Sequence, residues 1–378
     1  MPHDVESAVP KKSSRFILAR NEIFFNAALP VLAMLIALLV GAIVLLVLRV
    51  NPFQAYSAIV IGVFGSLAGF TQSLVKATPL LFVGLGICIA FRASVINIGA
   101  EGQIILGALG ATAWALGFRT WPGWILVPTT LIASFLSGAF WGFVPGLLKA
   151  RFRVNEILTT VMMNAIAIQL MNMLVRGPLI DQAGVTAGTY LAQSERLPEA
   201  SWLPRLIPQT LLTSGAILAV VLAVVVYIFL WRTTIGFRIR MVGLNPDASR
   251  YAGVNVAFYQ MLSLTLAGGF AGLAGAVEVM GVHHRLLEGI TSGYGFSGIV
   301  AALFGGLHPL GLIPAAWLFG SLLVGADKMQ RAVQVPSALI DMLLGLVVLF
   351  VVGSAFISRR WATHRAITAS KTETEAKA

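Results

Sequence analysis

Apolar residues run in long blocks along this chain, and most blocks end at a glycine, a proline or a basic cluster. The blocks fall at 27–48, 76–92, 102–118, 124–148, 156–175, 211–231, 257–281, 295–306, 308–327 and 338–358. At about 1.5 Å per residue, most can cross a hydrocarbon core of about 30 Å as a helix. The block 295–306 is too short for that. Gly305, Gly306 and Pro309 part it from the next block, so it predicts a half-helix. Residues 55–70 are also apolar and predict a re-entrant or surface helix. The pattern predicts an all-α, polytopic membrane protein, a bundle of about ten transmembrane helices in one domain spanning 27–358.

Composition agrees. The chain is 58% hydrophobic and only 11% charged, with a mean hydropathy of +0.88, whereas a soluble domain carries about 25% charged residues. The net charge of +11 comes from basic residues placed mainly at the ends of apolar blocks, the pattern of topology signals and not of a nucleic-acid face. With ten crossings, one side collects Lys11, Lys12, Arg15 and Arg20, then Arg92, the Lys149–Arg153 cluster and the basic residues of 232–250. It also collects Arg359, Arg360 and Arg365. Basic loops stay inside, so both termini are predicted to be cytoplasmic, in a segment 1–26 and a tail 359–378 whose end, 366–378, has a disordered composition. The first apolar run, of about 22 residues, is longer than a signal-peptide core and lacks a clear small-x-small cleavage site, which predicts a retained span. The longest outer loop is 177–210, and the longest inner loop is 232–256. Cys88 lies within an apolar block and reads as a small packing residue.

Polar groups inside apolar blocks are the candidates for chemistry. Asn97, Glu101 and Gln103 lie together with Gly99 and Gly102 between them. A carboxylate and two amides near hydrocarbon must face protein, water or a ligand. Glycines there let the backbone unwind where it lines a cavity. Two roles fit: contact with a small polar solute, or bonding that holds a broken helix together. Asn164, with Gln169 and Asn172 further along one block, is a second group, for which interhelical bonding is the competing role. Tyr294, Phe296 and Ser297, at the outer end of the short block, suit ring stacking or interfacial anchoring. Glu278 reads as a mouth residue or a partner of Arg285, and Lys76 and Arg49 as cations reaching the interface. His283 and His284 point in different directions, with no third ligand spaced to complete a metal site. Gly268, Gly272 and Gly275 form a small-residue helix face suited to close packing. The two glycine-interrupted regions, 97–103 and 289–306, suggest corresponding halves of an internal repeat.

The inner loop carries a set of local helix signals. Asn245 suits an N-cap, Pro246 the first helical position, and Asp247 the positive helix end. Gly253 suits the left-handed residue after the last turn. A helix of under two turns is unstable alone and must lean either on its own spans or on a partner protein.

Val-Gly-Leu-Asn-Pro-Asp-Ala-Ser-Arg-Tyr-Ala-Gly-Val-Asn-Val at 242–256 resembles the cytoplasmic coupling segment of permease subunits from bacterial ABC importers of the nucleoside and simple-sugar type. Asn97-Ile-Gly-Ala-Glu-Gly-Gln103 looks like that group's most recognisable motif. Val154-Asn-Glu-Ile-Leu-Thr-Thr-Val-Met-Met-Asn164, Gly298-Ile-Val-Ala-Ala-Leu-Phe-Gly-Gly306 and Gly325-Ala-Asp-Lys-Met-Gln330 are similar too. Leu307-His308 departs from the expected pattern, where more polar residues would follow the double glycine. The resemblance implies a type II-like permease in a bacterial inner membrane that is not itself an enzyme and binds no cofactor. Its implied partners are an ABC ATPase subunit, an extracytoplasmic solute-binding protein and a second permease in a heterodimer. It also implies that Gly243, Asn245, Pro246, Asp247, Arg250, Tyr251 and Gly253 contact the ATPase. Asn97, Glu101, Gln103, Asn164, Tyr294 and Ser297 are the expected solute pathway. Independently, no Gly-x-x-x-x-Gly-Lys-Ser/Thr phosphate loop occurs in the chain. A secondary transporter driven by H⁺ or Na⁺, with Glu101 as the coupling group, is the competing reading. Nucleosides, riboflavin-like rings and sugars all remain compatible as cargo.

Overall fold

Main-chain amides inside a bilayer have no water to bond, so each apolar block satisfies them internally as a helix. The computed structural model describes residues 32, 35–47, 49–186, 188, 191–334, 342, 345, 346, 349, 350 and 353. The predicted terminal segments, the last span 338–358 and the start of the first span therefore lie wholly or largely outside the described residues. Two units are distinguished, one from Met1–Gln54 and Val335–Ala378, the other Ala55–Gln334. In the first unit, the described helix is α1 (Leu35–Val47).

The second unit is helical throughout its bundle. Its elements are α2 (Pro52–Phe64, which begins in the first unit), α3 (Leu67–Arg92), α4 (Ala100–Gly117), α5 (Gly123–Phe152) and α6 (Glu156–Val175). There follow the short α7 (Gln182–Thr186), α8 (Gly215–Arg232), α9 (Thr234–Leu244), α10 (Pro246–Tyr251) and α11 (Val256–Val277). The last two are α12 (Tyr294–Phe304) and α13 (Pro309–Val333). Among the described residues, extended pairing is limited to isolated bridges such as Ile180–Ser194 and Arg205–Thr213. Six described helices are long and apolar enough to cross a membrane: α3, α5, α6, α8, α11 with its terminal turn, and α13. Helix α4 has the length, with 18 residues, but Glu101 and Gln103 dilute its first turn. At 11 residues, α12 is the half-helix expected from the sequence.

Helix α13 runs to Val333, six residues past its predicted end, and the largest difference is at the start of α3. Helix α3 begins at Leu67, nine residues before the predicted start. Thr71, Ser73 and Thr78 return their hydroxyls to the carbonyls of Leu67, Phe70 and Leu74, so these polar side chains do not end the helix. The block 55–70 is correspondingly split, with Ser66 capping α3 by accepting from Gly69 N–H at 3.0 Å. Asn155 and Asn255 cap α6 and α11 in the same way.

Helices α3 and α11 form the centre, each with 83% of its most apolar stretch buried, against 33% for α5, 28% for α8 and 22% for α6. Helix α11 packs on α3, α4 and α5, and glycines set the approach. A Cβ added to Gly107 or to Gly138 would stand under 3.0 Å from Gly272 Cα, and one on Gly275 would meet the Ile104 carbonyl as closely. The small-residue face read from the sequence thus meets small residues on both neighbours. Ser134 Oγ lies 2.9 and 2.7 Å from the carbonyls of Gly107 and Gly272, at the meeting point of the three helices. Beyond Val277 the helix widens into a π turn at Glu278–His283 and stops at His284, which is left-handed with φ 54°.

Gly272→Val is expected to separate these helices and lower stability by more than the roughly 1–3 kcal/mol of ordinary overpacking, because backbone and not a side chain opposes it. Gly117→Ala, where an added Cβ meets nothing within 4 Å, should leave the thermal midpoint in detergent unchanged or higher. Equal midpoints for the two variants would contradict this packing.

Candidate functional site

Two helices start inside the bundle, and both starts are built around the Asn97–Gln103 segment. Helix α3 ends at Arg92. The chain then turns through Ser94, which has φ 56°, and re-enters helical geometry at Ala100. Asn97 and Gln103 face each other as an amide pair: Asn97 Nδ2 donates to Gln103 Oε1 at 2.9 Å, and Gln103 Nε2 donates back to Asn97 Oδ1 at 3.3 Å. Asn97 Oδ1 also accepts from Gly99 N–H at 3.0 Å. From α6, Asn164 accepts from Gly102 N–H at 2.8 Å and donates to the Ile98 carbonyl at 2.9 Å. All three amides are buried. These bonds fulfil the framework role that the sequence left open beside solute contact.

Glu101 bridges the two starts. Its Oε1 accepts from Gly295 N–H, 194 positions away, at 2.9 Å, and the Thr291 side chain and Phe296 amide also face the carboxylate. The residue before α12, Gly293, supplies no side-chain cap. A carboxylate from α4 takes that place, where unpaired N–H groups and the helix dipole favour negative charge. Gly295 is required by this approach, since a Cβ there would stand under 3.0 Å from Glu101 Cγ. The start of α12 brings Tyr294, buried, and Ser297, half-buried, to the same junction. The six expected pathway residues therefore converge on one place.

Lys76 belongs there too, contrary to its reading as an interfacial cation. With α3 starting at Leu67, Lys76 lies inside the helix, and its Nζ stands 5.3 Å from the centre of the Tyr294 ring. Glu278 is buried and lies 3.5 Å from His283 Nε2; among the described ion pairs its partner is this histidine and not Arg285.

At another end of the bundle, α10 matches the local signals. Asn245 Oδ1 accepts from the amides of Asp247 and Ala248 at 3.1 and 3.0 Å, Pro246 opens the helix, and Gly253 is left-handed at φ +78°. Ser249 is buried, while Arg250 and Asp247 pair at 3.2 Å on the exposed side. Leu244, the last residue of α9, is 87% exposed and Tyr251, the last of α10, 95% exposed, so both ends of a helix too short to stand alone are uncovered. Gly243 seats this segment: its missing Cβ leaves room for the Arg92 carbonyl, at the turn that leads to Asn97. The Arg92 guanidinium donates to the Leu307 carbonyl at 3.3 and 3.2 Å and lies 5.2 Å from the Trp231 ring, which Arg240 also approaches at 5.5 Å. His308 packs at 4.9 Å on the same ring.

A family model described as the permease component of branched-chain amino acid transport systems matches residues 69–352. The chain belongs to this permease family. The permease is 36% identical to the guanosine ABC transporter permease protein NupP of Bacillus subtilis (strain 168), over 86% of its own length and 92% of the relative. It is also 36% identical to the glucose ABC transporter permease protein TsgB13 of Haloferax volcanii, over 87% and 88% of the two chains. Identity to the nucleoside ABC transporter permease protein NupB of Lactococcus lactis is 32%, over 90% and 95%. The permease is thus a multi-pass membrane component of a transport system and not an enzyme, and the comparisons favour this over an ion-driven carrier.

Replacing Asn164 by Leu strands the Gly102 amide and the Ile98 carbonyl in the interior, at about 1–3 kcal/mol for each group. Thermal unfolding of the purified permease should show a clear fall in midpoint. An unchanged midpoint would remove Asn164 from the framework.

Proposed function

We propose that the permease forms the translocation path of an ABC importer for nucleosides, taking its cargo from an extracytoplasmic binding protein and its energy from a separate ATPase. The observation that carries this reading is the seated but uncovered α10 segment. Its core side rests on the turn before Asn97, and its Leu244–Tyr251 tip faces outward. Gly243, Asn245, Pro246, Asp247, Arg250, Tyr251 and Gly253 are the contact set for the ATPase. Clefts of about 450 and 710 Å³ flank the segment, one bordered by Arg153, Glu156 and Arg250, the other by Met241, Gly253 and Phe258. Both suit reception of a protein partner.

Nucleoside cargo is supported by the guanosine and nucleoside permeases among the relatives, at 36% and 32% identity. The glucose permease keeps a simple sugar as the alternative. The solute path runs past Asn97, Glu101, Gln103, Asn164, Tyr294 and Ser297, with the amides holding the break and Glu101, Tyr294 and Ser297 marking its edge. A push on α10 passes through Gly243 to Arg92, and from there both to the Asn97 turn and, through Leu307, to the turn between α12 and α13.

The remaining topology follows the charge pattern: about ten spans within 27–358, both termini cytoplasmic, loop 177–210 outside and loop 232–256 inside. A heterodimer with a second permease is supported by Bacillus subtilis, which has two guanosine permease proteins related to this chain, NupP and NupQ.

Tyr251→Ala removes an almost fully exposed side chain, so the thermal midpoint should be unchanged. ATP-driven guanosine uptake by the assembled transporter should fall at least tenfold, the equivalent of about 1.4 kcal/mol. Full uptake by this variant would defeat the coupling role of α10. Full coupling with uptake of glucose but not guanosine would defeat the nucleoside assignment alone.

A further inference from the structure

Helix α6 has two unlike sides. One is bonded through Asn164 to the break before α4. The other is open, with Leu158, Met162, Ile166, Gln169 and Met173 exposed along it at three- and four-residue spacing. Helices α5 and α8 have open sides too, but theirs are apolar: Ile132, Leu136 and Phe140 on α5, Val221, Val224 and Ile228 on α8. Such faces suit lipid. The α6 face differs by Gln169, thirteen residues beyond Glu156 and so about 20 Å along the helix and about 9 Å from its far end at Val175, still within the apolar stretch. Gln169 is exposed and takes no hydrogen-bond partner among the described residues. One turn on, Asn172 keeps its Oδ1 buried and equally without a partner. An open amide at that depth is strongly unfavourable against hydrocarbon and favourable against water or a polar solute.

We propose that the Gln169–Asn172 face of α6 borders the aqueous solute path and receives a planar heterocycle with hydrogen-bonding edges. The amide of Gln169 offers both a donor and an acceptor to such an edge. Met162 and Met173, above and below it, offer polarisable sulfurs to the ring faces. The contact wall is then the open α6 face with Gln169, while the amides on the opposite, Asn164 side of the helix are committed to holding the helix starts. This inference rests on the permease reading and deepens it by naming the wall that contacts cargo.

The test uses the complete transporter in proteoliposomes. Its background is Cys88→Ser, since Cys88 is the one cysteine of the chain and is buried. Gln169→Cys, Met173→Cys and, as the lipid-facing control, Leu136→Cys are each exposed to a charged, membrane-impermeant methanethiosulfonate. The first two should react faster than the control by at least an order of magnitude, because the reagent enters only with water, and guanosine should slow them. If Gln169→Cys does not accumulate, Met173→Cys carries the same comparison. Reaction as slow as the control at both positions overturns the proposal, and places α6 against lipid or in a dry seam with the second permease. Fast reaction unaffected by guanosine overturns the heterocycle assignment. Guanosine uptake by the unmodified transporter, measured in the same vesicles, separates that outcome from a failure of the nucleoside reading.

Discussion

A helix that begins inside a membrane protein exposes amides that nothing in lipid will satisfy, and this permease has two such starts, at Ala100 and Tyr294. The arrangement around them depends on one bond. Glu101 belongs to the first turn of α4 and accepts from the first turn of α12 at Gly295, so one carboxylate serves the positive ends of both helices. Gly295 has no side chain because Glu101 lies where it would be. Asn164 and the Asn97–Gln103 pair then satisfy the remaining turn from the other side. Removing Glu101 or Asn164 strands main-chain groups that belong to a different element, which makes the junction a unit and not a set of independent contacts.

The junction is anchored at both ends by close backbone approach. Toward the core, Gly107, Gly138 and Gly272 bring α4, α5 and α11 together at a distance that leaves no room for side chains. Toward α10, Gly243 fits over the Arg92 carbonyl, and the Arg92 guanidinium ties the same point to Leu307 and Trp231. Under the proposed coupling, a displacement of α9 and α10 would reach the Asn97 turn and the turn between α12 and α13 through these contacts. This is the economy expected of a subunit driven from outside: the moving part is small, and the sites it must reach share one backbone turn.

Much of this was legible in the residues. The helices follow the apolar blocks, the α6 boundaries were read to the residue, and Asn245, Pro246 and Gly253 announced α10 through cap and turn chemistry that acts over four or five positions. The Asn97–Gln103 motif stood out because carboxylate and amides are rare among apolar residues. What those groups bond to was not legible. The Glu101–Gly295 and Asn164–Gly102 bonds join positions far apart in the chain. Lys76 was misread because hydroxyls folding back on their own helix let α3 start earlier than its composition suggests.

The sequence by itself determined membrane residence, the family and the approximate places of most helices, since these rest on composition, periodicity and short motifs. Tertiary structure alone decided that the conspicuous amides of 97–103 and 164 are committed to framework bonds, that Lys76 meets Tyr294, and that α6 turns Gln169 outward, without a partner among the described residues. The physical reason is that hydrogen-bond commitment depends on which groups approach within about 3 Å, and in a helical bundle those neighbours come from other helices.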